Sequence, residues 1–336
     1  MITLKDIAAE AGVSVMTVSR VVNGQFSKVS DGNIKKIQAI IEKCGYVPSQ
    51  SARSLSSHAS RIIAVIVQGD GSAMEYPYNG ALIGRVCHRI QAHDYSPMLY
   101  YASDYQDITK RLRSWYVEGA VFLGMFDQNM RQIQADNKIP LIFIDSYSPV
   151  RQITNVGVDD YKGGELAATY LLQKGHRRVG FVASYSNASG VVRQRLIGFR
   201  DALERAGFPL SEDRILADLP EEDVLRSLCL CPEPTTAFFA PADVNALKLI
   251  SRLKAIGLSI PGDCSVIGFD DLFFAAYTIP GLTTIRQDIE RKAQIATDML
   301  FHHIEDPGAP AENITLDVQL VERGSVEPPA KAPRAF

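Results

Sequence analysis

An all-α helix-turn-helix head followed by an α/β core built on parallel sheets is the fold class that three features of the sequence predict. The first is a pair of short amphipathic helical patterns around one glycine in DIAAEAGVSVMTVSRVVNG, residues 6–24. The second is a long succession of short apolar runs alternating with amphipathic segments, as parallel strands covered by helices require. The third is scale: 336 residues, 46% hydrophobic and 22% charged, suffice for two or three lobes with cores of their own.

In the head, Thr3 stands as an N-cap with Asp6 in the first turn, and Leu4, Ile7, Ala8 and Ala11 share one helical face. Gly12 supplies the backbone freedom of a tight turn. Ser14 caps a second helix that runs through Val22 and stops at Asn23-Gly24. Ala8, Gly12 and Val18 stand where two crossing helices need a small residue, a turn glycine and a buried branched side chain. With Val18, Val21 and Val22 turned inward, Val15, Met16, Thr17, Ser19 and Arg20 are left outside, available to a major groove. A plain helical hairpin with a solvated face has the same spacing. What extends the pattern is a third helix capped by Ser30, with Ile34, Ile37, Ile40 and Ile41 at helical spacing, ended by Gly45-Tyr46-Val47-Pro48.

In the core, His58 to Arg61 reads as a linker, and IIAVIV opens the first buried strand. AVFLGMF, IPLIFID, HRRVGFVAS, TTAFFAP and DCSVIGFDD read as further strands. Gly163 to Lys174, Gln194 to Ala206 and Val244 to Ile256 read as helices, and the Pro/Ala-rich tail from Val326 as loose. Ligands of open parallel sheets bind at the carboxyl ends of strands, where Asp145, Asp243 and Asp270 stand. Aspartates also cap helices and turns in such places.

Composition narrows the function classes. The apolar runs fall far short of the roughly 18 residues of a membrane span, and MITLKDIAAE lacks a basic start followed by an apolar stretch, so a cytoplasmic protein is expected. The five cysteines are scattered and odd in number, against a disulfide framework, and Cys229-Leu-Cys231 has no second ligand pair at zinc spacing; no metal is expected. Neither a Gly-x-Ser-x-Gly elbow nor GxxxxGK[ST] is present, and His302-His303 reads as a solvated helix end. No enzyme and no cofactor are expected. Seven basic and four acidic residues make residues 1–60 +3, so the remainder of a chain of net charge -3 is -6. A basic head on an acidic body suits an anionic polymer as the head's partner.

TLKDIAAEAGVSVMTVSRVVNG followed by GYVPSQSARSL resembles the DNA-binding head of the LacI/GalR family of bacterial transcription regulators. The likeness continues through NVGVDDYKGGELAATYLLQKGHRRVGFVAS, RQRLIGFRDALERAG and SVIGFDDLFFAAYTIPGLTTIRQD to about Glu327. It implies a head at 1–48, a hinge helix and linker at 49–60, a bilobal periplasmic-binding-protein-like core with two parallel sheets at 61–327, and a loose tail at 328–336. The two lobes would be threaded more than once, with the effector between them.

The resemblance places Val15, Met16 and Arg20 at operator base edges and Ser14, Thr17 and Ser19 at phosphates. It makes Leu55 a minor-groove wedge in a hinge helix that forms when two heads meet on DNA. Ser49 departs from the asparagine usual after Pro48. In the cleft it points to Arg193 and Arg195 as guanidinium forks for hydroxyls or anions, to Asp270 of GFDD as a hydroxyl acceptor, and to Asp145 and Asp243. Tyr76 and Tyr78, in the loop QGDGSAMEYPYNG, would form an aromatic wall. Ala242 departs from an asparagine common in sugar responders.

The function implied is an effector-controlled repressor of carbohydrate uptake or catabolism genes. Its partners would be double-stranded operator DNA, a sugar-like effector and a second copy of itself; EPPAKAPRAF has no leucine heptads, so a homodimer is expected. The competing readings are a solute-binding protein for sugar transport and an α/β-fold enzyme.

Overall fold

The computed structural model describes residues 2–47, 59–102, 104–124, 129–146, 153–182, 190–216 and 219–330. The chain divides into two units, Met1–Arg61 and Ile62–Phe336.

Among its described residues the first unit carries three α-helices, Leu4–Ala11 (α1), Val15–Val22 (α2) and Asp31–Cys44 (α3). Thr3 and Asp6 close a reciprocal capping box at the start of α1, which satisfies two backbone donors that the helix leaves open. Gly12 ends the helix at φ 68°, a left-handed conformation in which any side chain would be strained, so the reversal into α2 depends on glycine. Ser30 holds the N-cap position of α3, but its side chain makes no capping hydrogen bond, contrary to the sequence expectation. Ile7, Ala8, Ala11, Val18, Val21, Ile37 and Ile40 form the buried centre, with Val22, Ile34 and Ile41 packed against it. At roughly 1.5–3 kcal/mol for each large apolar side chain removed from water, these few residues hold a very small domain together.

The second unit holds two six-stranded sheets. The first runs, in spatial order, Asn313–Leu316 (β11), Asn155–Val158 (β5), Leu141–Ile144 (β4), Gly119–Leu123 (β3), Ile62–Gln68 (β1) and Ser96–Ala102 (β2), all parallel. The second runs Val318–Val321 (β12), Thr283–Gln287 (β10), Ser265–Asp270 (β9), Ala237–Phe239 (β8), Val179–Val182 (β6) and Ile215–Leu216 (β7), parallel except for β12. Helices Pro77–Ala92 (α4), Tyr105–Ser114 (α5), Asn129–Asp136 (α6) and Ile289–Glu305 (α11) pack on the first sheet. Asp160–Gln173 (α7), Val191–Arg205 (α8), Glu222–Cys229 (α9) and Asp243–Ala255 (α10) pack on the second.

The unbroken apolar run IIAVIV follows from this layering. Ile63, Val65 and Val67 face the core that contains α4 and α11, whereas Ala64 and Ile66 face the one that contains α5 and α6. A strand covered on both faces has no polar side to alternate with.

The chain passes between the lobes three times, each time at an aspartate. Asp159 lies between β5 and α7, Asp288 between β10 and α11, and Asp317 between β11 and β12. Each carboxylate accepts a backbone N–H just beyond the crossing, from Lys162, Arg291 and Val318. Asp159 also donates its own N–H to Leu316 O at 2.9 Å, tying the first crossing to the third. The helix expected from Gly163 starts at Asp160 because Asp159 caps it.

The tail is packed for longer than its composition suggests. Val326 belongs to the second lobe's core, Ser325 is buried and donates to Val266 O, and Glu327 O accepts from the rings and hydroxyls of His176 and Ser265. Among the described residues, no helix is long and apolar enough to cross a membrane.

Candidate functional site

On the head, α2 presents Val15 and Met16 to solvent, Met16 at 64% exposure, while Val18 is wholly buried. Ser14 Oγ accepts the Thr17 N–H at 3.1 Å and shares a 2.9 Å hydrogen bond with the Thr17 hydroxyl. Of these two hydroxyls expected at phosphates, that of Ser14 thus already caps the helix and that of Thr17 is bonded to it. Arg20 donates Nη2 to Met16 Sδ at 3.5 Å, and Asn23 donates to Ser19 Oγ at 3.3 Å. The outer face therefore carries two apolar side chains beside one restrained guanidinium. Leu55 and Ser49 lie outside the described residues.

In the second unit a cavity of about 790 Å³ opens between the lobes at the carboxyl ends of the strands, lined by both. From the first lobe come Tyr76, Tyr78 and Asp145; from the second come Arg195, Asp270 and Gln287. Asp145 follows β4 directly at φ 54°, and Asp270 ends β9 at φ 117°. The second value lies outside the left-handed well that aspartate tolerates, a strain of about 1–3 kcal/mol of the kind that collects at binding sites. Asp271 beside it is clamped by Arg286 and Arg323, each at 2.6 Å, which holds the strand end in place.

Arg195 is 5% exposed. It donates Nε to Asp160 Oδ1 at 2.7 Å and Nη1 to Pro241 O at 2.5 Å, and its guanidinium lies 3.4 Å above the centre of the Phe269 ring. Asp270 Oδ1 is 3.9 Å from Nη1 and accepts the Gln287 amide N–H at 2.6 Å. Among the described residues, Asp270 Oδ2 and Arg195 Nη2 are the uncommitted atoms of the pair. Burial pushes the Asp270 carboxyl up to about 6, against the pull of Arg195, Gln287 and Lys292. For Arg195, burial opposes the charge but the nearby carboxylates of Asp160 and Asp270 outweigh it, so the guanidinium stays firmly protonated.

Across the cavity, the Tyr78 hydroxyl donates to Asp145 and accepts from Lys292. Burial first, and the Asp145 charge second, push its phenol well above the ordinary range. Tyr76 stands at the cavity's edge, half exposed.

Two expected residues are not brought to the cavity. Arg193 is exposed and lies outside the lining, because two residues along a helix turn the side chain through about 200°. Asp243 is fully buried beneath it; its carboxylate takes the Thr284 hydroxyl at 2.5 Å and the Leu272 N–H at 2.8 Å and so ties α10 to the ends of β9 and β10. Burial, then the neighbouring Asp270 charge, hold the Asp243 carboxyl well above the usual range.

Other residues of the site were not singled out in the sequence. Gln287 and Asn245 line the cavity, and Lys292 and Asp160 stand directly behind it. The TTIRQD and VDDYKGG motifs contain Gln287 and Asp160, but nothing in their spacing marks those side chains. Lys292 sits in IERKAQ, where nothing in the spacing marks it as buried. Among the described residues no group of three or more His, Cys, Asp or Glu gathers as a metal site.

The two units match two families. Residues 3–49 match the bacterial regulatory proteins of the lacI family, and residues 168–326 a periplasmic binding protein-like domain. The HTH-type transcriptional repressor PurR of Edwardsiella ictaluri is 31% identical over 342 residues, with 97% of each chain covered. The ribose operon repressor of Escherichia coli K12 is 31% identical over 336 residues, covering 97% of this chain and 100% of that one. Among solved structures, the lac repressor dimer bound to operator and an anti-inducer superposes with a TM-score of 0.84 at 25% identity, covering 97% and 99% of the two chains. A LacI family regulator from Enterococcus faecium with bound ribose gives 0.68 at 27% identity, covering 80% and 99%. The helical head, the two-sheet core and these full-length relatives agree: the chain belongs to the LacI family of bacterial regulatory proteins and is a DNA-binding transcriptional regulator, not an enzyme.

Proposed function

We propose that the chain is a homodimeric cytoplasmic repressor of genes for carbohydrate uptake or breakdown, controlled by a sugar-like molecule held between its lobes. The observation that carries this reading is the pairing of Arg195 and Asp270 at the cavity wall, a planar donor beside a carboxylate acceptor, opposite Tyr78 and Asp145 from the other lobe. Such a pair fits neighbouring hydroxyls, each of which gives one proton and accepts another. The ribose operon repressor and the ribose-bound regulator support the sugar class. On the head, Val15 and Met16 would touch thymine methyls and Arg20 a guanine edge; Ser14, Thr17 and Ser19 would reach phosphate, and Leu55 would wedge the minor groove. A ligand that favours one arrangement of the lobes shifts operator affinity by its differential affinity for the two arrangements.

Selection of operator fragments by the full-length chain, repeated with sugars, glycosides and polyols, tests the whole reading. A bound palindrome whose retention one sugar alters is the expected result. Retention that depends on salt but not on sequence would overturn the regulator's specificity, and retention indifferent to every sugar would overturn the effector class.

A further inference from the structure

Among the described residues two cations stand at the cleft, and each is held in an ion pair within the protein. Arg195 is committed to Asp160 and to Pro241 O. Lys292, on α11, is 0% exposed and gives its ammonium to three acceptors: Tyr78 OH at 2.8 Å, Asp145 Oδ1 at 2.6 Å and Gln287 Oε1 at 2.6 Å. An ammonium has three protons, so none remains. Around these two cations stand three buried or nearly buried carboxylates, Asp145, Asp160 and Asp270, and Asp70 adds a fourth at the lining. Among the described residues that line the cavity, Arg195 is the one cationic side chain.

The position of Lys292 makes this arrangement specific. On α11 it shares a stripe with Ile289, Ala293, Ala296 and Leu300, all buried in the first lobe's core. Burying a lysine among such residues is costly unless its charge is matched. Here it is matched by groups that themselves face the cleft. Accepting from Lys292 fixes the Tyr78 hydroxyl so that its proton points to Asp145. Lys292 also orients the Gln287 amide, with Oε1 on the ammonium and Nε2 toward Asp270.

We propose that Lys292 is the buried counter-ion that sets the charge preference of this cleft, making it select uncharged, hydroxyl- or amide-bearing effectors and reject phosphorylated or carboxylated ones; the proposal rests on the cleft being the effector site. A phosphate entering the cavity finds, among the described residues, four carboxylates against two cations that are already paired. The one nitrogen it can reach without breaking a pair, Arg195 Nη2, belongs to a cation whose charge Asp160 already offsets, and a close ion pair there would draw the guanidinium away from that buried carboxylate. A neutral polyol meets Asp270 Oδ2 as acceptor and Arg195 Nη2 as donor without disturbing either ion pair. Lys292 is a positioning residue: it touches Tyr78, Asp145 and Gln287, and these touch the ligand.

Melting of the full-length wild-type chain against matched pairs tests it: ribose with ribose 5-phosphate, glucose with glucose 6-phosphate, and further sugars, polyols and nucleosides each with its phosphate ester. The neutral member of the effective pair should raise Tm at a concentration at least about tenfold below its ester. An ester as effective as its parent, or more so, overturns the proposal and leaves the cleft as effector site standing. A panel flat for every member overturns the cleft reading and the proposal with it. Lys292→Met supplies the second readout. Removing the counter-ion should raise the affinity for an amino-sugar analogue relative to its neutral parent by about tenfold, whatever happens to Tm without ligand. An unchanged ratio shows that Lys292 only fills space. Should that variant not fold, the wild-type pairs still decide.

Discussion

The carbonyl oxygen of Arg195 occupies the space that a Cβ on Gly164 would need, far inside the 3.0 Å that real Cβ atoms respect, and Gly198 stands in the same relation to the carbonyl of Tyr161. Helices α7 and α8 therefore meet backbone to backbone, each with a glycine at the crossing. This contact brings the Arg195 side chain onto Asp160, the first residue of α7, and turns the helix so that Val191, Val192 and Arg195 line the cavity.

Gly164→Ala should push the two helices apart and lower stability by about 3 kcal/mol or more, the upper end of what a methyl forced into a closed contact costs. Urea unfolding followed by circular dichroism measures it. An unchanged midpoint would mean that the close approach is dispensable.

Arg193→Ala should leave effector binding and stability near those of the wild type, because Arg193 is exposed and outside the cavity. Arg195→Ala should abolish the effector-dependent rise in Tm. It should also cost about 3–5 kcal/mol by taking the guanidinium charge away from buried Asp160. Thermal melts of the two variants with and without ligand decide between the neighbouring arginines; equal losses in both would count against this geometry.

Acid sensitivity has two opposing sources. His176 is neutral in the fold: its Nε2–H donates to Glu327 O and its Nδ1 accepts from Thr236, and burial lowers it to about 4. A lowered value means stability present above the unfolded value near 6.5 and lost as pH falls toward 4, about 3 kcal/mol over the whole range. Asp270, raised to about 6, works the other way: its contribution is present below the unfolded value near 3.8 and lost as pH rises through 6. Melts between pH 4 and 7.5 should therefore fall more steeply toward acid in Asp270→Asn and less steeply in His176→Gln. Identical profiles in all three proteins would refute both assignments. Since hydroxyl donors favour the ionised carboxylate, effector affinity should also weaken as pH drops below about 6.

Arg20→Ala should weaken operator binding by about 1–3 kcal/mol at one base position and change stability little, as its side chain reaches Met16 on the outer face. Ser14→Ala should differ: it removes a cap and costs about 1 kcal/mol of stability, which Ser14→Gly largely spares. Hydrogen exchange of the head's amides in the full-length chain separates the two effects. If Ser14→Gly loses operator affinity while exchange is unchanged, the hydroxyl meets the DNA as well as the helix.

Much of this was legible in the sequence where the deciding interactions are local. Thr3 with Asp6, Gly12, Ser14 and the isoleucine spacing of α3 act within a turn or two of themselves, so the head could be read residue by residue. Apolar runs bounded by turns located β1, β3, β4, β6, β8 and β9 for the same reason. Less visible were strands β11 and β12, whose burial is partial and whose partners lie in distant segments.

For the cleft, the sequence by itself determined which chemical groups were at hand: aspartates at strand ends, two arginines in RQRLIGF, tyrosines after the first strand. Which of them meet was decided only by tertiary structure. Arg193 and Arg195 are alike in sequence, and the glycine contact of α7 with α8 chooses between them. Asp243 and Asp270 both stand at the carboxyl ends of strands, yet one, the first residue of α10, is sealed beneath the cavity and the other opens on it. Lys292 becomes part of the site because the chain crosses lobes at Asp288 and lays α11 beneath Tyr78 and Asp145. Local propensity acts over a few residues, whereas a buried charge is placed by partners far away in sequence, 147 residues away in the pair of Lys292 with Asp145.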